Sequence, residues 1–431
     1  MNPLIVGIIF IFLFLILLFL RVPIAYAMLA VGFFGVAVLT RFSTAFNLVT
    51  MNFYSEFSKY TMIVVPMYVW MGFLAYESGI GSRLYNFADK LLGHLPGGLA
   101  MATQAASALF GAICGSTTAT AATMGAIAIP EMNKYKYDVS LSTASVAAGG
   151  VLGILIPPSV VFIVYGIATE QSISKLFKAG IIPGILLTLL YILAIYILTL
   201  RNPDIAPKGE KSTFQEKIKA LRGGLWEVIL IFSFSLGGMF AGWFTPSEAG
   251  SIGAGGVLLI TILEKSLSWE GFKKSLVKTT ETVAMIMLLL VGATVFGRFL
   301  ALSTIPFKLA EWAGNLPLPP FAIMLVIIFI YLVLGMFIDA LAMILLTIPI
   351  FYPVVVNVLG YDPIWFGVII VLVGGMGNIT PPVGMNVYII KGVTKDVELE
   401  QIFNGVWPFV FAIISCILIL IAFPSLVTFF V

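Results

Sequence analysis

Apolar stretches of membrane-spanning length recur from one end of this chain to the other. They are Leu4–Leu20, Val22–Leu39, Met62–Tyr76, Leu99–Pro130, Ser140–Thr169, Gly180–Leu200, Leu225–Trp243, Ser247–Leu263, Thr282–Gly297, Phe321–Val356, Pro363–Ile390 and Val406–Val431. A helix needs about 20 apolar residues to cross a bilayer. Lipid offers the backbone no hydrogen-bond partner, so such stretches must be helical. Hydrophobic residues make up 60% of the chain and charged residues 10%, against roughly 45–50% and 25% in soluble domains. That surplus must face lipid. The 431 residues suffice for about ten crossings. The first stretch has no basic residues before it and no small-residue cleavage pattern after it, so it is expected to remain as a first helix.

Several function classes are excluded early. His94 is the lone histidine, which leaves no His-based metal site. Cys114 and Cys416 each lie in an apolar run and read as small buried residues. No G-x-x-x-x-G-K-[ST] motif occurs, which argues against an ATP-driven pump. A membrane hydrolase needs a nucleophile and base or a metal-ligand set, and the isolated acids supply neither.

Four stretches are interrupted. Leu99–Pro130 carries Gly111, Gly115 and the polar run Ser116-Thr117-Thr118; Phe321–Val356 carries Gly335 and Asp339. Proline-bounded ends and a polar middle favour re-entrant hairpins. The other two stretches break at Gly149–Pro158 and Gly374–Pro382, where glycines precede paired prolines. Proline lacks a backbone donor and clashes with the preceding turn. Unwound backbone is costly in lipid and belongs around a cavity or ion.

With the N-terminus outside and both hairpins not crossing, 17 of the 23 Lys and Arg fall inside. They are Arg21, Arg83, Lys90, Lys134, Lys136, the six within 201–222, Lys265, Lys273, Lys274, Lys278, Lys391 and Lys395. That is the positive-inside asymmetry, and counting either hairpin as a crossing spoils it. Both termini are then periplasmic, and 201–224 is a cytoplasmic linker.

The halves resemble each other at an offset of about 220 residues. Leu95-Pro96 pairs with Leu316-Pro317, and the Pro130 segment with the Pro349 segment. Gly150, Gly153, Pro157 and Pro158 pair with Gly374, Gly377, Pro381 and Pro382. Five crossings per half invert the second half relative to the first. The expected fold is an all-α polytopic membrane protein of two inverted repeats, 1–200 and 225–431. Each has five spanning helices, one of them broken (140–169 and 363–391), plus one hairpin (99–130 and 321–356). Inverted repeats with paired broken helices mark secondary transporters.

A sodium ion takes several oxygen ligands, which freed carbonyls and Ser, Thr or Asn side chains supply. One expected sodium site uses Ser116 and Thr117 at the first tip with Gly153, Ile156 and Pro157 at the first break. Thr118 and Thr120 are further oxygen sources there. The second uses Asp339 at the second tip with Gly377, Asn378 and Thr380. Thr118, Thr120, Pro158, Pro381, Pro382 and Asn386 are assigned to the solute. Hairpin-helix N-termini carry partial positive charge and suit a carboxylate. The bland readings are local: hydroxyls bonding back to the helix, Asp339 capping its helix, Glu248 starting one. The segments Arg41–Lys59 and Glu170–Lys178 fit interfacial arms or plain loops equally.

Phe110-Gly111-Ala112-Ile113-Cys114-Gly115-Ser116-Thr117-Thr118-Ala119-Thr120, the Gly153–Pro158 break and the Gly374–Pro382 break resemble the large membrane subunit of TRAP transporters, the tripartite ATP-independent periplasmic transporters. The resemblance runs nearly end to end. It implies a carrier of the bacterial or archaeal inner membrane working by an elevator motion, with no cofactor and with Na+ as coupling ion. It implies three partners besides membrane lipids: a small membrane subunit, a periplasmic solute-binding protein and a small carboxylate such as a C4-dicarboxylate or sialic acid. No nucleic-acid partner is implied. Because the chain opens directly on its first helix, the small subunit is expected as a separate polypeptide. Cys114 departs from the pattern, since a hydroxyl there would ligate an ion better. The alternatives are a stand-alone ion-coupled anion carrier of related fold and, less well suited to inverted hairpins, a channel.

Overall fold

A computed structural model describes residues 2–209, 211–394 and 396–431. Lys395, one of the basic residues assigned to the inner side, lies outside the described residues. Among those described there is no strand.

Helices α1 (Pro3–Phe19) and α2 (Ile24–Leu39) lead to α3 (Phe42–Ser58), α4 (Val64–Glu77) and α5 (Ile80–Leu92). Next come α6 (Gly98–Cys114), α7 (Thr117–Lys134), α8 (Val139–Leu155), α9 (Val160–Thr169) and α10 (Ile173–Arg201). In the middle of the chain α11 (Phe214–Ala220), α12 (Trp226–Phe232) and α13 (Gly238–Phe240) join through π-helical turns into one span, Phe214–Phe240. Then follow α14 (Pro246–Leu263), α15 (Trp269–Ser303), α16 (Ile305–Gly314), α17 (Pro320–Gly335), α18 (Ala340–Tyr352), α19 (Pro363–Gly377), α20 (Met385–Val393), α21 (Leu399–Ala422) and α22 (Ser425–Thr428).

Six described helices are long and apolar enough to cross a membrane, or eight if each of two bent pairs counts as one span. Local signals explain their starts. Ser, Thr or Asp side chains cap α7, α8, α9, α10, α11, α14, α15, α18 and α19, and Pro opens α14, α17 and α19. Glu248 does start a helix, closing a capping box with Thr245.

The outer helices expose large apolar side chains such as Phe12, Phe34, Leu189, Phe329 and Leu418. In water that surface would drive aggregation; in a bilayer it is the solvent-facing side. The two helices that end at breaks are different. Every residue of α8 from Leu141 to Leu155, and of α19 from Ile364 to Gly377, is buried. A helix apolar all round belongs in the core of a bundle. Here α6, α7, α19, α20 and α21 surround α8. On the other side α2 lies along α15. A Cβ at Gly32 would stand 2.9 Å from the Phe296 amide, and one at Gly292 would stand 2.8 Å from the Ala25 carbonyl. Small residues set that close approach.

Several details depart from the sequence expectation. Of the two readings open for Arg41–Lys59, arm or loop, the structure has the helix α3 (Phe42–Ser58), with Phe42, Phe46, Met51, Tyr54 and Phe57 exposed. Glu170–Lys178 forms no arm: Glu170 caps α9, and Ser172 starts α10. The Thr282–Gly297 run is part of a 35-residue helix, because its polar N-terminal turns still carry good helix formers. Met62–Tyr76 continues past a 68° bend into α5. Gly79 makes the corner at φ +74°, a conformation open to glycine. Arg83 then pins α5 to the second half, 2.6 Å from Glu227 and 3.2 Å from Glu264. Ala340–Val358, expected as one limb of a hairpin, is by length and composition also sufficient to span.

Candidate functional site

Each break meets a helix tip. At the first, α8 stops at Leu155 and α9 resumes after Ser159. The last turn of a helix has carbonyls without intrahelical partners, and Pro157 and Pro158 bring no amide hydrogen to satisfy them. Between α6 and α7 the chain turns at Gly115 (φ +64°), and a Cβ there would lie 2.6 Å from the Pro158 carbonyl. The Val160 amide donates to the Gly115 carbonyl at 3.4 Å. The tip therefore rests directly on the break.

Ser116 caps α7: its Oγ accepts from the Ala119 amide at 3.4 Å and lies 3.1 Å from Thr118 Oγ1. Thr117 is buried, and Thr120 is fully buried with no partner for its Oγ1. That oxygen is 2.5 Å from where a Cβ on Gly153 would sit. Gly153, Pro157 and Pro158 are buried and Ile156 half-buried. The structure thus brings Ser116 and Thr120 of the first tip against Gly153, and Gly115 against Pro158, whereas the Ile156 side chain packs against Gly184 of α10.

The second break is wound more tightly. The amides of Asn378, Ile379 and Thr380 donate to Gly374, Met376 and Gly377 at 3.1, 3.2 and 3.2 Å, and the Asn386 amide closes onto the Asn378 carbonyl at 2.9 Å. Thr380 Oγ1 donates to the Met376 carbonyl at 2.6 Å. Asn378 is buried, yet neither atom of its side-chain amide has a partner. Burying an unpaired polar group costs about 1–3 kcal/mol, so such a group calls for a further partner: a water, an ion or a ligand. Pro381 is half-buried and Pro382 exposed. Asp339 is half-buried and caps α18, its carboxylate accepting from the Leu341 amide at 3.1 Å. Its neighbour Ala340 packs on Gly374.

The backbone contacts of the two tips correspond. Gly111 meets Gly153 and Gly335 meets Gly377, and the two pairs are separated by the same number of residues. A Cβ on Gly111 would lie 3.0 Å from the Gly153 Cα; one on Gly377 would run into the Gly335 backbone, 2.6 Å from its carbonyl oxygen.

Two residues escaped the sequence reading. Gln104 and Ser107 of α6 are fully buried. Gln104 Nε2 donates to the Ser145 carbonyl at 2.7 Å, while Gln104 Oε1 and Ser107 Oγ have no partner. Both face Gly149 of α8. The available signal was an amide inside an apolar run.

Residues 11–426 match the tripartite ATP-independent periplasmic transporter, DctM component. The chain belongs to this family. Its relatives include the sialic acid TRAP transporter large permease protein SiaM of Vibrio cholerae, 33% identical over 417 residues and 96% of each chain. The C4-dicarboxylate large permease DctM of Pseudomonas aeruginosa is 36% identical over 336 residues, 78% of each. The isethionate permease protein DctMQ of Oleidesulfovibrio alaskensis is 34% identical over 88% of this chain, which spans 59% of that longer protein. The fold of the Alcanivorax borkumensis YdaH transporter is similar, with a TM-score of 0.70 at 14% identity, covering 99% of this chain and all of that one. This DctM-family chain is accordingly a multi-pass membrane transport protein and not an enzyme.

Proposed function

We propose that this chain is the large membrane subunit of a sodium-driven tripartite importer in a bacterial or archaeal cytoplasmic membrane. Both termini are periplasmic. It takes an organic acid from a periplasmic binding protein and works with a small membrane subunit. Relatives are named for isethionate, C4-dicarboxylate and sialic acid, so the solute is an organic anion. Residues 1–200 and 225–431 form inverted repeats about the 201–224 linker. The hairpins 99–130 and 321–356 and the broken helices 140–169 and 363–391 move together as an elevator. The matching glycine contacts at both tips support that pairing.

The observation that carries the ion reading is the pair of buried, unpartnered polar side chains at the breaks, Thr120 and Asn378. One sodium ion sits among Ser116, Thr117, Gly153, Ile156 and Pro157, with Thr120 beside it. The other sits among Asp339, Gly377, Asn378 and Thr380. The solute lies between, along Thr118, Thr120, Pro158, Pro381, Pro382 and Asn386. The capping residues set its orientation. Asp339 already places a carboxylate at the α18 N-terminus. Ser116 leaves the α7 N-terminus with a neutral cap, so the solute anion meets α7.

The test is uptake of labelled organic acids into proteoliposomes carrying this chain and its small subunit, under an inward sodium gradient. Uptake requiring both sodium and a binding protein supports the proposal. Uptake needing sodium but no binding protein supports a stand-alone carrier, and uptake indifferent to sodium removes the ion sites.

A further inference from the structure

Asn386 opens the helix that resumes after the second break, yet its side chain belongs to the other half of the molecule. Its backbone amide closes the break by donating to the Asn378 carbonyl at 2.9 Å. Its Nδ2 turns the opposite way and donates to the Ala147 carbonyl of α8 at 3.0 Å. The residue is fully buried, and its Oδ1 has no partner. Gly150 permits the approach. A Cβ there would stand 2.6 Å from the Asn386 Nδ2, and 3.0 Å from both the Thr117 carbonyl and the Ala121 Cβ. One residue is therefore bonded through its backbone to the loop of the second break and through its side chain to the helix that ends in the first, beside the first tip. Among the described residues no other side-chain amide near the breaks spans them in this way: Gln104 stays within the first half, and Asn378 is unpaired.

We propose that Asn386 is a positioning residue that couples the two breaks, so that sodium bound at one raises the affinity of the other. The proposal rests on the sodium reading above and adds to it a route between the sites. An ion at the second break must hold Asn378 and its loop in one arrangement. The Asn386 amide transmits that order to α8 and so to the carbonyls at its end. Coupling of this kind is reciprocal, and ordering one break lowers the entropy cost of ordering its neighbour.

A ligand role would use Oδ1, whereas the tether uses Nδ2. Asn386→Asp separates them, since it keeps an oxygen and loses the donor. In the proteoliposomes described above, sodium titration of uptake should be sigmoidal for the parent. Asn386→Asp and Asn386→Ala should both lower the Hill coefficient to the value expected of two independent sites and raise half-saturating sodium about tenfold, within the usual range of coupling factors. Gly150→Ala displaces the amide without removing any side-chain oxygen and should shift both values the same way by less. A purely structural role would reduce the maximal rate and leave the Hill coefficient unchanged, which would overturn the tether. So would Asn386→Asp behaving like the parent while Asn386→Ala fails, because that pattern marks a ligand. Loss of uptake at every sodium concentration in all three variants would overturn it too, since the tether acts on affinity. A parent that responds to sodium without sigmoidicity removes the tether alone. A parent that ignores sodium removes the sodium reading and the tether with it.

Discussion

The two breaks share a glycine and proline pattern but differ in where their oxygens come from. At the first, the chain ends α8 in extended backbone at Ile156, so free carbonyls are the main resource and Thr120 adds one hydroxyl. At the second, successive amides fold back onto Gly374, Met376 and Gly377, and the free groups are the side-chain amide atoms of Asn378. The tips differ in the same sense, with a neutral cap at Ser116 and a charged one at Asp339. One sequence pattern, used twice, has produced one break whose free oxygens are backbone carbonyls and another whose free groups are a side-chain amide. Side-chain sites are sensitive to single substitutions, whereas backbone sites are sensitive to anything that displaces the chain.

The largest effect should come from forcing tip and break apart. Gly377→Ala places a methyl group against the Gly335 backbone, which has no rotamer to yield. Overpacking of this kind costs about 1–3 kcal/mol. Uptake should vanish and the midpoint of thermal unfolding should fall. Gly153→Ala should do less, because one of its two close contacts is the rotatable Thr120 Oγ1. Equal damage at both positions would erase the distinction between the breaks.

Asn378→Ala should come next. It should raise half-saturating sodium roughly tenfold, the effect of losing about 1.4 kcal/mol of binding. Without sodium the same variant should be as stable as the parent or more so, since it removes a buried unpaired amide. A loss of stability in sodium-free buffer would show that the amide is structural.

Thr120→Val keeps the shape and loses one oxygen. Its sodium shift should be smaller than that of Asn378→Ala, because carbonyls carry the first site. A larger shift would reverse the assignment of backbone and side-chain sites.

Ser116→Asp should cost sodium binding least, because it puts a carboxylate beside the first ion and so should lower half-saturating sodium rather than raise it. It gives α7 a charged cap like that of α18, which helices accept. The added charge should raise the KM for an anionic solute without changing the rate at saturation. An unchanged KM would move the solute away from the α7 N-terminus.

Much of this arrangement is legible in the sequence because glycine and proline act locally. The breaks at 153–158 and 377–382 follow from which residues can donate and turn, and Asp339 before an apolar run reads as a cap. The apolar runs place the helices, but of the about ten crossings expected six described helices, or eight with the bent pairs, are long and apolar enough to span. What the sequence does not disclose depends on register between distant helices. The meeting of Gly111 with Gly153, and the reach of Asn386 to Ala147, are set by packing across the bundle. The bend at Gly79 is only partly legible, since a glycine in an apolar run permits a corner without requiring one. Gln104 was readable as an amide in an apolar stretch, but its partner was not.

The central claim is that both breaks bind sodium, one through backbone and one through a side chain. Equilibrium binding of radioactive sodium to the purified full-length chain tests it directly. The account predicts saturable binding in which Asn378→Ala weakens one class of site roughly tenfold and Thr120→Val weakens the other by less. Absence of saturable binding to the parent, or identical isotherms for all three proteins, would contradict it.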